Sequence, residues 1–312
     1  MKEKEKVRRF GYYEERSNRS LDFHVYSQVW TPENLEEFEK ITSTIFVLQP
    51  VMVAEDVVEK NYQSIFSSSA VLTEQINTAK SQVATISELS MHGLVNAVQT
   101  VTNFLASASA FLAQTETRIG RTFGKDSKQA KIWNESRRSE HASKFGYRFM
   151  YELRNFSQHL SLPISNFGLF GERGAEGAPM SFSVGLTLER APLLDSGFNW
   201  KNLRVEIAAL SDEFLLVPLI DEYLQSIREL CLKALDLFDQ EIATSVDYMA
   251  ALQRIFRVPP TAIPALFICE AGALSQPPAS HEQVPVVQLA YLLKRRTALT
   301  ELCRREHRPR NL

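Results

Sequence analysis

The sequence has little of what cross-links or punctuates a chain. Its three cysteines, Cys231, Cys269 and Cys303, stand far apart with no C-x-x-C spacing. That excludes a disulfide-rich secreted module and a zinc site built on cysteine pairs, and predicts a reducing, cytoplasmic setting. With 12 glycines and 13 prolines in 312 residues, collagen-like and mucin-like repeats are excluded too. No uninterrupted run approaches the ~20 apolar residues of a membrane-spanning helix. The closest, Thr261 to Leu274, carries Pro264 and Glu270 and reads as a buried packing segment. The N-terminal MKEKEKVRRF has no apolar stretch behind it and so lacks the pattern of a secretory signal. G-x-S-x-G, H-E-x-x-H and H-x-E with a C-x-x-C are all missing. The glycines of GERGAEGAP (171–179) follow no clear strand and open no helix, which excludes a P-loop or dinucleotide fingerprint. No metal or cofactor is called for.

What the chain does have is a core-sized apolar fraction, 44%, and an uneven charge. The net charge is only -2, yet Arg118 to Arg148 holds nine Lys/Arg against three carboxylates. From Lys294 onward seven Lys/Arg face two glutamates. Basic stretches in an otherwise acidic chain point to a defined anion site rather than general stickiness.

Periodicity predicts a mainly α chain, an antiparallel helical bundle with minor β elements. Three regions are expected: an irregular or β segment at 1–31, a bundle at 32–256 with a loop-strand insertion at about 161–198, and a Pro-rich appendage with a basic terminal helix at 257–312. Phe23 to Val29 and Ser181 to Arg190 alternate as strands do. Thr31-Pro32-Glu33 is a helix start, with Thr as N-cap and Pro in the first turn. Gln49-Pro50 should interrupt that helix. A longer one should follow Ser67-Ser68-Ser69, with a break near Gly93 and close packing at Ala106 to Ala110. A further helix is expected from Ser127 to His159, ending before Pro163.

On that helix, at about 100° per residue, Arg137, His141, Lys144, Arg148, Asn155 and His159 fall within about 60° of one another. Ala142, Phe145, Phe149, Leu153, Phe156 and Leu160 form the apolar face. A basic stripe that leads to Asn155 and His159 suits RNA, with Arg137, Arg138, His141, Lys144 and Arg148 as candidate RNA-binding residues. Arginine and histidine together supply what RNA cleavage without a metal needs. An imidazole exchanges protons near neutral pH, and a guanidinium meets the charge that builds on the phosphoryl oxygens. RNA carries its own nucleophile, the 2′-OH.

Arg154-Asn155-Phe156-Ser157-Gln158-His159 resembles the HEPN superfamily, whose hallmark is R-x(4–6)-H with a polar residue, often Asn, after the Arg. The resemblance implies an α-helical, metal-independent endoribonuclease of the toxin or phage-defence type. It would work as a homodimer whose two motifs share a cleft, alongside an inhibitory or activating protein partner. It also implies that Arg154 and His159 are catalytic and that Asn155 supports them. A second R-x4-H spacing, Arg19 to His24, has no Asn after the Arg and no amphipathic helix before it. Two other readings of the same residues are a non-catalytic RNA-binding protein and a helical scaffold. Five residues on a straight helix set Arg154 and His159 about 140° apart, so either the helix unwinds beyond Ser157 or a partner protomer completes the site.

Overall fold

The structure, a computed structural model, describes residues 5–17, 20–79, 83–172, 181–271 and 277–306. Arg19 and most of the glycine-rich 171–179 stretch lie outside the described residues. The elements run β1 (Lys6–Glu15), β2 (Leu21–Val29), α1 (Pro32–Thr78), α2 (Val83–Phe123), α3 (Lys128–Ser143), α4 (Phe145–His159), β3 (Asn166–Glu172), β4 (Ser181–Glu189), α5 (Arg190–Asp195), α6 (Leu203–Ala208), β5 (Glu213–Leu215), α7 (Val217–Asp236), α8 (Asp239–Ile255), β6 (Ile263–Glu270), β7 (Ser280–Gln283) and α9 (Val286–Glu306). The chain is mainly α with minor antiparallel β. It divides into two compact units, Met1–Pro50 with Leu235–Glu301 and Val51–Ala234 with Leu302–Leu312.

In the first unit the two ends of the chain meet in one antiparallel sheet, in the order β2-β1-β6-β7. The segments 1–31 and 257–312, expected as separate regions, are therefore partners in this sheet. The Thr261–Leu274 packing segment supplies β6, a mostly buried inner strand. Pro264 sits second in it, one residue before pairing with β7 begins at Ala265, so its missing N–H interrupts no bond there. One sheet face packs Phe10, which stacks on Trp30 and Phe256 at 5.8 and 4.3 Å, against Phe38, Ile45, Met249 and Leu252. At Gly11, where the register of β1 against β2 shifts, a Cβ would strike His24 O and the Phe267 ring. Only glycine allows that approach.

Thr31 caps α1 as expected, its Oγ1 accepting from Asn34 N at 3.3 Å. The helix then continues past Pro50 and past Ser67–Ser69. An interior proline costs about 3 kcal/mol. Ile45, Leu48, Val51 and Met52, all at most 2% exposed, bracket it. Each such burial contributes about 1.5–3 kcal/mol, which together outweighs the cost of the proline. Among the described residues α1 is the one helix long and apolar enough to cross a membrane by length and composition. The sequence reading missed it because Thr, Gln and Pro break up the apolar run.

In the second unit Asn61 donates to Asn103 O and Ser107 Oγ, at 3.2 and 3.0 Å, while Leu72 lies against Gly93. These contacts show α1 and α2 to be antiparallel neighbours. Gly93 is not a break but a point of close approach, where a Cβ would overlap Leu72. Ser107 and the fully buried Ala108 lie in the small-residue stretch expected to pack closely. Tyr223 on α7 is buried between Phe104 and Tyr147, at 5.9 and 5.4 Å. Arg228 makes a two-pronged bond to Glu59 at 2.5 and 3.0 Å. A second sheet, β3-β4-β5, is tied to the end of α1 by Asn77, which bonds both the N–H and the C=O of Phe182.

Candidate functional site

The expected helix from Ser127 to His159 is two helices. Ser127 caps α3, accepting from Ala130 N at 3.1 Å. Lys144, at φ -117° and ψ 116°, then ends α3 and precedes α4. Two anchors explain the joint. Gly146 N–H, in the first turn of α4, donates to the Glu222 carboxylate on α7, and a Cβ at Gly146 would lie 3.1 Å from Leu219 O. A carboxylate at a helix N-terminus satisfies an orphan donor and suits the dipole. Lys144 itself bridges Glu140 and Glu229 at 2.9 and 2.8 Å. Burial alone would lower its pKa, but these two carboxylates hold it above its ordinary value. The single stripe therefore splits, with Arg137 and His141 on α3, Lys144 at the joint, and Arg148, Asn155 and His159 on α4.

Arg154 and Asn155 lie half-buried near the end of α4. Arg154 Nη1 donates to Asn155 Oδ1 at 3.2 Å, and Asn155 Nδ2 donates to Glu152 Oε2, also at 3.2 Å. Glu152, buried, also accepts from Lys201 Nζ at 2.9 Å through its other oxygen. A polar chain thus runs Lys201–Glu152–Asn155–Arg154. It leaves Arg154 Nε buried and without an acceptor among the described residues. His159 is the last residue of α4, exposed, with the helix regular up to it and ended at Leu160. The unwinding considered for Ser157 onward is absent before His159, so the two side chains leave the helix about 140° apart.

The basic residues separate into two groups. Arg148 donates to His141 O at 2.7 Å, Ala142 O at 3.0 Å and Glu206 Oε2 at 2.6 Å. Like Lys144, it has its donors committed to holding the α3–α4 joint. Arg137, Arg138 and His141 instead line one cavity of about 280 Å³ with Asn134, Tyr147 and Tyr151. Arg137 meets Glu116 at 2.7 Å, whereas Arg138 is exposed and in no ion pair among the described residues. Burial, then the charge of Arg148, holds the His141 imidazole below its ordinary pKa.

Sequence reasoning did not find Lys201, Tyr147, Tyr151 or Asn134 as site residues. Lys201 is brought in by a backbone at φ 54°, unusual for a lysine, in a turn whose sequence carries no glycine to signal it. Tyr147 and Tyr151 flank the stripe at i and i+4 but read as ordinary helix aromatics. No protein-family model, curated protein or solved structure matches the chain.

Proposed function

We propose that this chain is a metal-independent endoribonuclease of the HEPN type, a cytoplasmic toxin or antiphage effector built on an antiparallel helical bundle and acting on RNA as a homodimer. The observation that carries the reading is the state of Arg154. Its guanidinium is braced by Asn155 and Glu152, and its Nε is buried with no acceptor among the described residues, while His159 lies exposed about 1.4 turns further on. A braced arginine with donor capacity unspent suits a phosphoryl oxygen, whose two non-bridging positions accept forked N–H bonds.

The chemistry follows from the substrate. The ribose 2′-oxygen attacks the adjacent phosphorus and the bond to the 5′-oxygen breaks, giving a 2′,3′-cyclic phosphate and a 5′-hydroxyl. His159 exchanges the proton of the 2′-OH or of the leaving oxygen, and Arg154 meets the charge on the non-bridging oxygens. Because the two groups diverge on α4, one protomer supplies Arg154 and its partner supplies His159, which makes dimerisation part of the reading.

The test is cleavage of a mixed RNA by the purified chain in EDTA. Fragments ending in 2′,3′-cyclic phosphate, lost in Arg154→Ala and His159→Ala chains that keep the fold, support the reading. Full activity in either variant sinks the assignment of these residues.

A further inference from the structure

Among the described residues, the four-stranded sheet of the first unit ends on two edges, β2 and β7. Edge strands invite pairing with another chain, and proteins blunt them by keeping them short or by placing Lys or Pro there. β7 is blunted: it has four residues, one of them Glu282, and Pro285 follows close behind. β2 is nine residues long, LDFHVYSQV, and holds no Lys, Arg or Pro. Arg16 N–H donates to Ser20 O and Trp30 N–H to Arg8 O, both at 2.8 Å, so the even-numbered positions at both ends of β2 bond toward β1. Leu21, Phe23 and Val25 therefore turn their N–H and C=O groups outward, where those groups have no partner among the described residues. Their side chains share one sheet face, on which the rings of Tyr13 and Phe267 stand 6.1 and 5.8 Å from Phe23. Leu21 and Phe23 remain 45% and 43% exposed. On the opposite face Asp22 accepts from Arg16 at 2.6 Å, and His24 stacks on Tyr12 at 4.6 Å. Within one chain His24 Nε2 lies 3.8 Å from Asp22 Oδ2, beyond a hydrogen bond, and both side chains are exposed.

We propose that β2 is an interface with a second copy of this chain, the two strands pairing antiparallel about a two-fold axis at Phe23. In that register Phe23 faces the partner subunit's Phe23, and Leu21 faces the partner subunit's Val25. These outward-turned positions form three hydrogen-bonded pairs, about six N–H···O=C bonds, and one apolar ladder on the Tyr13 face. On the other face Asp22 comes opposite the partner subunit's His24, and the two-fold axis makes that contact twice. Neighbouring registers lose this match. An axis at Asp22 sets two carboxylates against each other, and an axis at His24 sets imidazole against imidazole and Leu21 against Ser27. An axis at Val25 sets Phe23 against Ser27. Backbone groups, apolar side chains and charge are thus all satisfied by the strand's own copy in one register, which is the self-complementarity a two-fold contact requires. The contact is small, so the pairing is reversible. It forms whether or not the chain cleaves RNA.

The test is sedimentation of the full chain, without RNA, over about 1–100 μM, beside disulfide trapping. Phe23→Lys sets two like charges face to face on the axis and should move association to at least about tenfold higher concentration. Circular dichroism and the melting temperature establish that this variant folds. Trapping gives a second readout that adds no charge. Phe23→Cys places two thiols on the axis, with Cα atoms about 5.5 Å apart, inside the range a disulfide spans. Mild oxidation should therefore link it into a covalent dimer. Leu21→Cys and Val25→Cys each lie about 14 Å along the strand from their own copy and should not link. The native Cys231, Cys269 and Cys303 are buried, and the wild-type chain is the control for them. A chain that stays monomeric throughout, unchanged association in a folded Phe23→Lys chain, or linkage at 21 or 25 as fast as at 23 would overturn the pairing. Linkage at 23 in a chain that cleaves no RNA removes the ribonuclease reading and leaves the interface. Cleavage in EDTA by a chain that fails to link at 23 removes the interface and leaves the ribonuclease.

Discussion

Lys201 and Glu152 lie 49 residues apart in sequence, and their side chains meet at 2.9 Å. The pair matters through what Glu152 does with its other oxygen, which orients Asn155 and through it Arg154. Lys201 is 66% exposed, so its ion pair contributes little to stability, under about 1 kcal/mol. Glu152 is buried, and replacing it strands the Asn155 amide. Glu152→Gln keeps the shape but loses the charge. It should lower kcat about tenfold with KM nearly unchanged and a melting temperature within a few degrees of wild type. Equal changes in kcat for Glu152→Gln and for a surface control would remove Glu152 from the positioning of Arg154.

Basic residues that look alike in sequence should fail in different ways. Arg148 makes three bonds at the α3–α4 joint, two of them to carbonyl oxygens of α3. Arg148→Ala therefore costs about 1–3 kcal/mol, from partners left without a donor. Arg138 is exposed and in no ion pair among the described residues, so Arg138→Ala should leave the denaturation midpoint unchanged while weakening RNA binding and flattening its salt dependence. Urea denaturation of both variants beside RNA titrations separates the two roles; a destabilised Arg138→Ala chain would contradict the assignment.

Local signals in the sequence carried well where burial was local. The Thr31 cap, the β2 and β4 strands, the terminal helix and the mainly α class all follow from short-range pattern. Misreadings occurred where a distant element decided. Pro50 reads as a stop, but core packing on both sides keeps α1 intact. Gly93 reads as a hinge, but it is the surface on which Leu72 rests. The α3–α4 joint is invisible because nothing between Ser143 and Phe145 announces it; Glu222 and Glu229, on α7, impose it. The same distance effect hid Lys201. The Arg154–His159 motif was legible because its residues lie within six consecutive positions of one helix, whereas a cavity beside Trp133 needs the end of α2 folded against α3.

The depressed pKa of His141 gives a signed pH effect. Burial and Arg148, with Lys201 further off, oppose its protonation, against a weaker pull from Glu152 and Glu206. Near neutral pH the ring is therefore uncharged. Below pH ~6.5 protonation adds a cation to the cavity shared with Arg137 and Arg138, and a bound phosphate favours that form. RNA affinity of the His159→Ala chain should rise as pH falls from about 7.5 to 5.5, and a further His141→Gln change should flatten that rise. Stability moves the other way. The unfolded chain binds the proton more readily, so the contribution of neutral His141 is present above about 6.5 and is lost as pH drops toward the folded value. A pH profile of affinity identical with and without His141 would exclude it from the RNA site.

The divergence of Arg154 and His159 on a regular α4 makes a prediction that ordinary loss-of-function variants cannot. Arg154→Ala and His159→Ala chains are each inactive alone if every site needs both residues. In a heterodimer of the two, one of the two composite sites combines an intact Arg154 from one protomer with an intact His159 from the other. Random reassortment puts half of the chains into such heterodimers, so mixing and reannealing should restore about one quarter of wild-type cleavage. A site contained within one protomer gives no recovery at any mixing ratio, because neither chain then holds a complete pair. The recovered activity must also fall on dilution below the dimer dissociation constant, which separates true subunit exchange from residual activity of either variant.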